Sequence, residues 1–257
     1  MKRIALLLIL VLGCALISSS AMAVTSSDIL SRVKTAEAGV KDMKAEMVIT
    51  SADKGNVSDM GEGYSDILKL QQAIICYKKP DKFRIDGFAR GIKASFVQNG
   101  YRKLVLAVMI RQTEDVTNKP GKRFDSLDLG FLSSRLWVDN AVTVISNPKD
   151  RVGERGGKNG AIQLKFDPKA GGADKRHDNV WVDSKTLRVT KREKYRGNGQ
   201  MRVRYVYTDF EMLGGKLPIA KTSTMYNPSG EKLGTVTYKN VQANVGLADS
   251  LFSLTQR

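Results

Sequence analysis

The chain has 257 residues, 42 of them Lys or Arg and 26 Asp or Glu, for a formal charge of +16 with only 2 Cys. A chain of that length buries a sizeable core, and so few cysteines exclude a disulfide framework. In a cytosolic protein such a balance would point to nucleic acid through counterion release, but the N-terminus directs this chain elsewhere.

Lys2 and Arg3 precede an unbroken apolar run from Ile4 to Leu12, and Ala21-Met22-Ala23 then supplies a small-x-small cleavage site. This is the pattern of a secretory signal peptide over residues 1–23, with a run too short to anchor in a bilayer. Val11-Leu12-Gly13-Cys14 is a rival lipobox, which would leave Cys14 lipidated at a new N-terminus. Plain secretion is preferred because a lipobox leaves the Ala21-Met22-Ala23 site without a purpose. Cleavage removes two cations and no acid, so residues 24–257 carry +14. Outside the inner membrane the available polyanions are phospholipid headgroups, lipopolysaccharide and acidic protein surfaces. Lys and Arg near an anionic lipid surface contribute about 1 kcal/mol each. Nucleic acid is not expected as a partner.

After the cleavage site, Ser26 or Ser27 is expected to cap a helix with Ile29, Leu30, Val33, Ala36, Ala38 and Val40 at helical spacing. The period then changes to two. Met43, Ala45, Met47 and Ile49 alternate with Lys44, Glu46 and Thr50, as in a half-buried strand. A second long strand carries Leu68, Leu70, Ile74 and Cys76, and a short one opens at Asp81-Lys82 with Phe83 and Ile85. Cys76 reads as a buried small hydrophobe rather than a catalytic thiol. Strands at 91–97 and 101–108 meet across Asn99-Gly100, a two-residue hairpin turn that tolerates positive φ. Further strands follow at 161–166, 180–182 and 187–195, and Asn198-Gly199 turns the chain into 201–210. Gly214-Gly215 and Asn227-Pro228-Ser229-Gly230 punctuate the rest, and a short helix or turn closes the chain at 247–252.

Two stretches break this series. Residues 124–137 (FDSLDLGFLSSRLW) show helical spacing, and residues 151–160 (RVGERGGKNG) form a glycine-rich charged loop. No linker divides residues 24–257, so a single domain is expected. About ten antiparallel strands with two helices make a mainly β (α+β) fold. Such a sheet curls, and the helices are the available cover for its inner face.

Nothing supports an enzyme. His177 lies in the charged run 174–179 and is expected to face solvent, and no metal-ligand spacing is present. Asp125 and Asp128 are spaced as a cap or helix face rather than as a catalytic pair. Gly156-Gly157-Lys158 lacks the setting of a phosphate loop. No cofactor is expected. The one prominent charge cluster is Lys191, Arg192, Lys194, Arg196, Arg202 and Arg204 on the strands flanking Asn198-Gly199, read as a basic docking face.

Several segments, in order along the chain, resemble the LolA-like periplasmic lipoprotein carriers and outer-membrane lipoprotein-sorting proteins. They are Lys78-Lys79-Pro80-Asp81-Lys82-Phe83-Arg84-Ile85-Asp86, Val97-Gln98-Asn99-Gly100-Tyr101-Arg102-Lys103-Leu104, the region Leu127 to Trp137, Asp209-Phe210, Gly214-Gly215-Lys216-Leu217-Pro218, and Asp249-Ser250-Leu251-Phe252-Ser253-Leu254. The resemblance implies an incomplete antiparallel β-barrel with a helical lid, a monomer in the periplasm, and no catalysis. Its apolar interior would hold acyl chains of lipoproteins or phospholipid between an inner-membrane donor and an outer-membrane acceptor. The family's lid-latching arginine, just before the motif proline, is Lys79 here, which lacks the planar fork. Inward candidates are Met43, Met47, Phe83, Ile85, Phe96, Leu104, Leu106 and Val206, with Phe131, Leu132, Leu136 and Trp137 on the lid. A sensor or scaffold of the same fold, docking a membrane protein or anionic lipid through the basic face, is the alternative.

Overall fold

The computed structural model describes residues 24–52, 70, 72–89, 91–108, 110–145, 161–171 and 175–255. Residues 1–23, where a signal peptide with Cys14 is expected, Leu68 and residues 151–160 lie outside the described residues. The chain opens with α1 (Ser26–Glu37), capped by Thr25 rather than by either serine. Thr25 and Asp28 form a reciprocal capping box that satisfies the first free N–H groups. Ile29, Val33 and Ala36 recur on one face of α1 and are buried.

All the strands among the described residues belong to one antiparallel sheet. In chain order they are β1 (Asp42–Ala52), β2 (Gln72–Lys78), β3 (Lys82–Ala89), β4 (Ile92–Asn99), β5 (Arg102–Ala107), β6 (Ile110–Asp115), β7 (Asn140–Ile145), β8 (Ala161–Pro168), β9 (His177–Asp183), β10 (Val189–Tyr195), β11 (Met201–Leu213), β12 (Leu217–Tyr226) and β13 (Lys232–Ala243). Sequential strands are neighbours, and β1 pairs with β13, so the order runs from β6 through β1 and β13 to β7. The sheet is not closed into a barrel. Its free edges are β6 and β7, the two strands that the sequence reading did not anticipate. Strand β6 (IRQTED) has one neighbour and stays largely exposed, so its residues never needed the apolar alternation that marks an inner strand.

This topology fixes the place of the lid. Residues 116–139 leave one free edge and re-enter the sheet at the other, so they must cross the mouth of the curled sheet. The crossing contains a 3-10 turn at Ser126–Leu129 and the short α2 (Arg135–Asp139) instead of one continuous helix. Asp125 and Asp128 cap that turn reciprocally, and Gly130 ends it at φ 74°, a conformation that suits glycine.

Apolar residues are buried on both faces of the β2–β5 half. On the concave side lies the main core, including Met43, Met47, Ile75, Tyr77, Phe83 and Ile85. On the convex side Cys76, Val97 and Leu104 pack against Phe252 from the C-terminal segment. That segment is tied down by polar contacts. Asp42 accepts from the N–H groups of Val245, Gly246 and Leu247, and Asp249 pairs with Lys78 and Lys82 at 3.0 and 2.8 Å.

Candidate functional site

The concave face and the crossing segment form the site. Met43, Met47, Phe83 and Ile85 are no more than 2% exposed, and Phe131, Leu132 and Leu136 of the crossing pack into the same core. Phe131 meets Tyr77 edge-on at 5.4 Å, and Phe124 meets Phe83 at 5.1 Å. Phe96 and Trp137 are half-buried against this core. Trp137 lies edge-on to Phe166 and donates its indole N–H to Ser26 Oγ at 2.9 Å. The interior is therefore filled by lid side chains.

Three inward candidates sit elsewhere. Leu104 and Leu106 belong to the convex cluster under Phe252, because Lys103 takes the concave position in β5. Lys103 is accommodated there by Glu114 at 3.4 Å and by the Lys122 carbonyl at 3.3 Å. Val206 lies off the buried face of β11, which is formed by Val203, Tyr205 and Tyr207. In both strands consecutive apolar residues hid the period, and a one-residue shift moves a side chain to the other face.

The buried Gln98 side chain exchanges hydrogen bonds with the Phe124 backbone at 2.8 and 2.9 Å. Beside it, three groups of polar contacts around α2 and the 3-10 turn help to tie the crossing segment to the sheet. Lys79 does not touch the lid itself. Its Nζ donates to the Glu37 carbonyl at 3.0 Å and lies 3.9 Å from the Glu37 carboxylate. That carboxylate in turn accepts from the backbone N–H and hydroxyl of Ser134, just before α2. Asp81, from the same β2–β3 turn, pairs with Arg135 at 3.1 Å. Asp139 pairs with Arg123 and Arg135 and accepts from the Tyr101 hydroxyl at 2.7 Å.

The third tie is Arg192, and it corrects the reading of a basic face. Arg192 is 2% exposed, and its guanidinium binds Asp128 at 2.7 Å, Asp125 at 3.0 Å and Asp178 at 2.7 Å. Asp125 and Asp128 cap the lid's 3-10 turn, while Asp178 stands on β9. The planar fork of arginine can serve several carboxylates at once. Burial works against the Arg192 charge, but the three aspartates outweigh it and hold the group protonated. Burial likewise pushes the Asp125 carboxyl up. The Arg192 charge, then that of Lys194, with hydrogen bonds from Arg192 and the Leu127 N–H, brings it below the ordinary value. Tyr207 and Tyr238 complete the seat by donating to the carbonyls of Leu127 and Asp128 at 2.6 and 3.3 Å.

The remaining cluster residues divide between the two faces. Lys191 lies over the Trp181 ring at 3.6 Å, and Arg204 pairs with the buried Glu193 at 2.9 Å. Lys194, Arg196 and Arg202 join Arg192 in lining a cavity of about 590 Å³ beside the lid. His177 does not stand free in solvent. It begins β9, is half-buried, and stacks on Tyr195 with centroids 4.6 Å apart. The roles of Glu37, Asp81 and Arg192 had no local signal, since each partner lies far away in sequence.

No family model and no curated protein matches the sequence. Solved structures do match in fold. A LolA superfamily protein from Nitrosomonas europaea aligns with TM-score 0.59 at 15% identity, over 90% of this chain and 98% of that one. A putative outer membrane lipoprotein-sorting protein domain from Vibrio parahaemolyticus aligns with TM-score 0.53 at 13% identity, over 87% and 95%. A DUF1329 family protein from Desulfovibrio piger gives 0.51 at 12% identity, over 88% and 95%. At such identities the likeness concerns the fold: this chain has the LolA-like fold, an open antiparallel sheet crossed at its mouth by a lid.

Proposed function

We propose that the chain is an exported, non-catalytic carrier that holds acyl chains of lipoproteins or lipids between the concave face and residues 124–139, for transfer toward the outer membrane. The observation that carries this reading is how the lid is held. It buries Phe131, Leu132 and Leu136 against the sheet, yet its ties are largely side-chain contacts at Glu37, Asp81, Asp139 and Arg192. A β ladder cannot be released without exposing backbone groups, whereas side-chain ties can be exchanged one at a time. Lifting the lid withdraws its apolar side chains and leaves Met43, Met47, Phe83 and Ile85 to receive a hydrocarbon chain. Each methylene buried there contributes about 0.8 kcal/mol, with no directional demand. Flexible methionines suit ligands of varied shape. The likeness of the fold to the putative outer membrane lipoprotein-sorting protein domain from Vibrio parahaemolyticus supports the same reading.

The test is native mass spectrometry with lipid extraction on protein isolated from its own periplasm. Phospholipid or acylated peptide at near one per chain is expected, and the N-terminal mass decides between cleavage after Ala23 and lipidation at Cys14. A bare chain that also refuses a fluorescent fatty acid would overturn the reading.

A further inference from the structure

The clamp under the lid also bears on what kind of acyl chain the interior accepts. Arg192 uses two edges of its guanidinium. Nε and Nη2 meet the Asp178 carboxylate at 2.7 and 2.5 Å. Nη1 and Nη2 meet the two oxygens of Asp125 at 3.3 and 3.0 Å, the forked pairing that arginine makes with a carboxylate, and Nη1 also meets Asp128 at 2.7 Å. Asp178 belongs to the sheet, whereas Asp125 and Asp128 belong to the lid. Lifting the lid therefore withdraws two carboxylates from one edge of the fork, while Asp178 keeps the guanidinium oriented from the other.

Beside this edge stands a buried donor with nothing to donate to. Tyr205 is directly opposite Arg192 in the β10–β11 ladder, which sets their Cβ atoms about 5 Å apart on the same face. It is 4% exposed, and its hydroxyl makes no hydrogen bond among the described residues. Tyr207, stacked beside it at 6.2 Å, does have a partner in the Leu127 carbonyl of the lid. Burial, and then the Asp128 charge, push the Tyr205 hydroxyl above its ordinary value against the pull of Arg192, so it stays a neutral donor. A buried hydroxyl without an acceptor destabilises the closed form and asks for an explanation. The surroundings of the pair are apolar. Val180 flanks Arg192 and Met225 flanks Tyr205 across the sheet, and Tyr205 shares its buried cluster with Met43, Met47 and Phe83.

We infer that Arg192 and Tyr205 form the head-group subsite of the acyl-chain cavity. Its ligand is an amphiphile with a pair of anionic oxygens, a carboxylate or a phosphate, which replaces Asp125 and Asp128 on the guanidinium. The inference rests on the carrier reading and adds to it a class of ligand. In the closed form the lid aspartates are a tethered stand-in for that head group. The exchange keeps Arg192 paired when the lid is up, and it gives Tyr205 the acceptor that the closed form denies it. A neutral acyl ester leaves one edge of the guanidinium without a carboxylate, so it should bind less tightly.

The experiment is displacement of the neutral apolar dye N-phenyl-1-naphthylamine from purified, delipidated protein at pH 8, below micelle formation. Three amphiphiles of equal chain length are compared: laurate, dodecyl phosphate and methyl laurate. At least one of the anionic pair should bind tenfold or more tighter than methyl laurate, and the tighter of the two identifies the head group. Arg192→Gln should abolish that preference. Because that variant is at risk of misfolding, Tyr205→Phe is the second one. It should be at least as heat-stable as wild type without ligand, yet bind the preferred anionic amphiphile at least threefold more weakly. A tyrosine with a merely structural role would not lose affinity while keeping stability. Methyl laurate binding as tightly as both anionic probes, or wild-type affinity in folded Tyr205→Phe, overturns the inference and leaves the carrier reading standing. If neither the dye nor any amphiphile binds, the carrier reading falls and the inference falls with it.

Discussion

Arg192 and Asp128 stand sixty-four residues apart in sequence, both side chains 2% exposed, and meet at 2.7 Å. One residue is in the sheet and the other in the lid, so this buried pair joins the two parts that ligand entry has to separate. Opening the lid breaks a charge-assisted contact in a dry setting, but it also returns both charges to water. The two terms oppose each other, which suits a contact that must hold and yet release.

Removing one partner without opening the lid lacks that compensation. Arg192→Met leaves Asp125, Asp128 and Asp178 crowded with no guanidinium among them, and a loss of about 3–5 kcal/mol is expected. Arg192→Lys keeps the charge but not the fork that reaches three carboxylates, so it should recover only part of the loss. Denaturant unfolding of both variants measures this. Wild-type stability in Arg192→Met would show that the clamp contributes nothing to the closed form.

Acid should weaken the lid's other border. Burial pushes the Glu114 carboxyl up, but hydrogen bonds from Lys119 and Lys122 and the Lys103 charge outweigh it and bring it to about 2. A carboxyl held low in the folded state stabilises fully above its unfolded value, near 4, and the contribution fades as pH falls toward 2. Asp125 is lowered as well and acts in the same direction. The stability gap between wild type and Glu114→Gln should therefore be constant from pH 7 to 5 and shrink between pH 4.5 and 2. A gap that stays level through that window would remove the ion cluster as its cause. Lys119 is half exposed, so added salt should narrow the gap throughout.

The elements most legible in the sequence were those whose pattern is local. Met43, Ala45 and Met47 showed the period of β1, and Asn99-Gly100 marked the turn between β4 and β5. Residues 124–137 stood out because helical spacing interrupts a strand series. The face assignments of Leu104 and Val206 failed because neighbouring apolar residues offer either parity, and only the packed C-terminal segment decides for Leu104. Arg192 was hidden for a different reason. In KREKYR the buried Arg192 looks no different from the other cations of the run, and the three aspartates that make burial tolerable come from two other elements. The spacing of Asp125 and Asp128 fits a cap or a helix face, and neither announces which cation the pair will meet.

The convex cluster yields a chemical readout. Cys76 is buried against Phe252, and burial pushes its thiol above the ordinary value, so native protein should react slowly with thiol reagents. Phe252→Ala should cost about 3–5 kcal/mol by leaving a cavity, and it should speed modification of Cys76 at least tenfold. A slow reaction in a folded Phe252→Ala protein would mean that other residues shield the thiol.

Gly130 separates backbone preference from packing at the lid. At φ 74° a side chain is disfavoured, and an added Cβ would also lie 2.7 Å from Ala220 Cβ and 3.0 Å from the Tyr207 ring. The close approach is required, because the Gly130 carbonyl accepts from the Ala220 N–H at 3.3 Å. Gly215 has a similar φ of 80° with open space around it. Gly215→Ala should then show the conformational cost alone, about 1 kcal/mol. Gly130→Ala should cost more by at least as much again, since the lid must rise off β12 or Tyr207 must move. If the lid rises, Gly130→Ala also binds a fluorescent fatty acid faster, while Gly215→Ala does not. Equal thermal shifts and equal uptake rates in the two variants would show that the lid is not seated on β12 at this point.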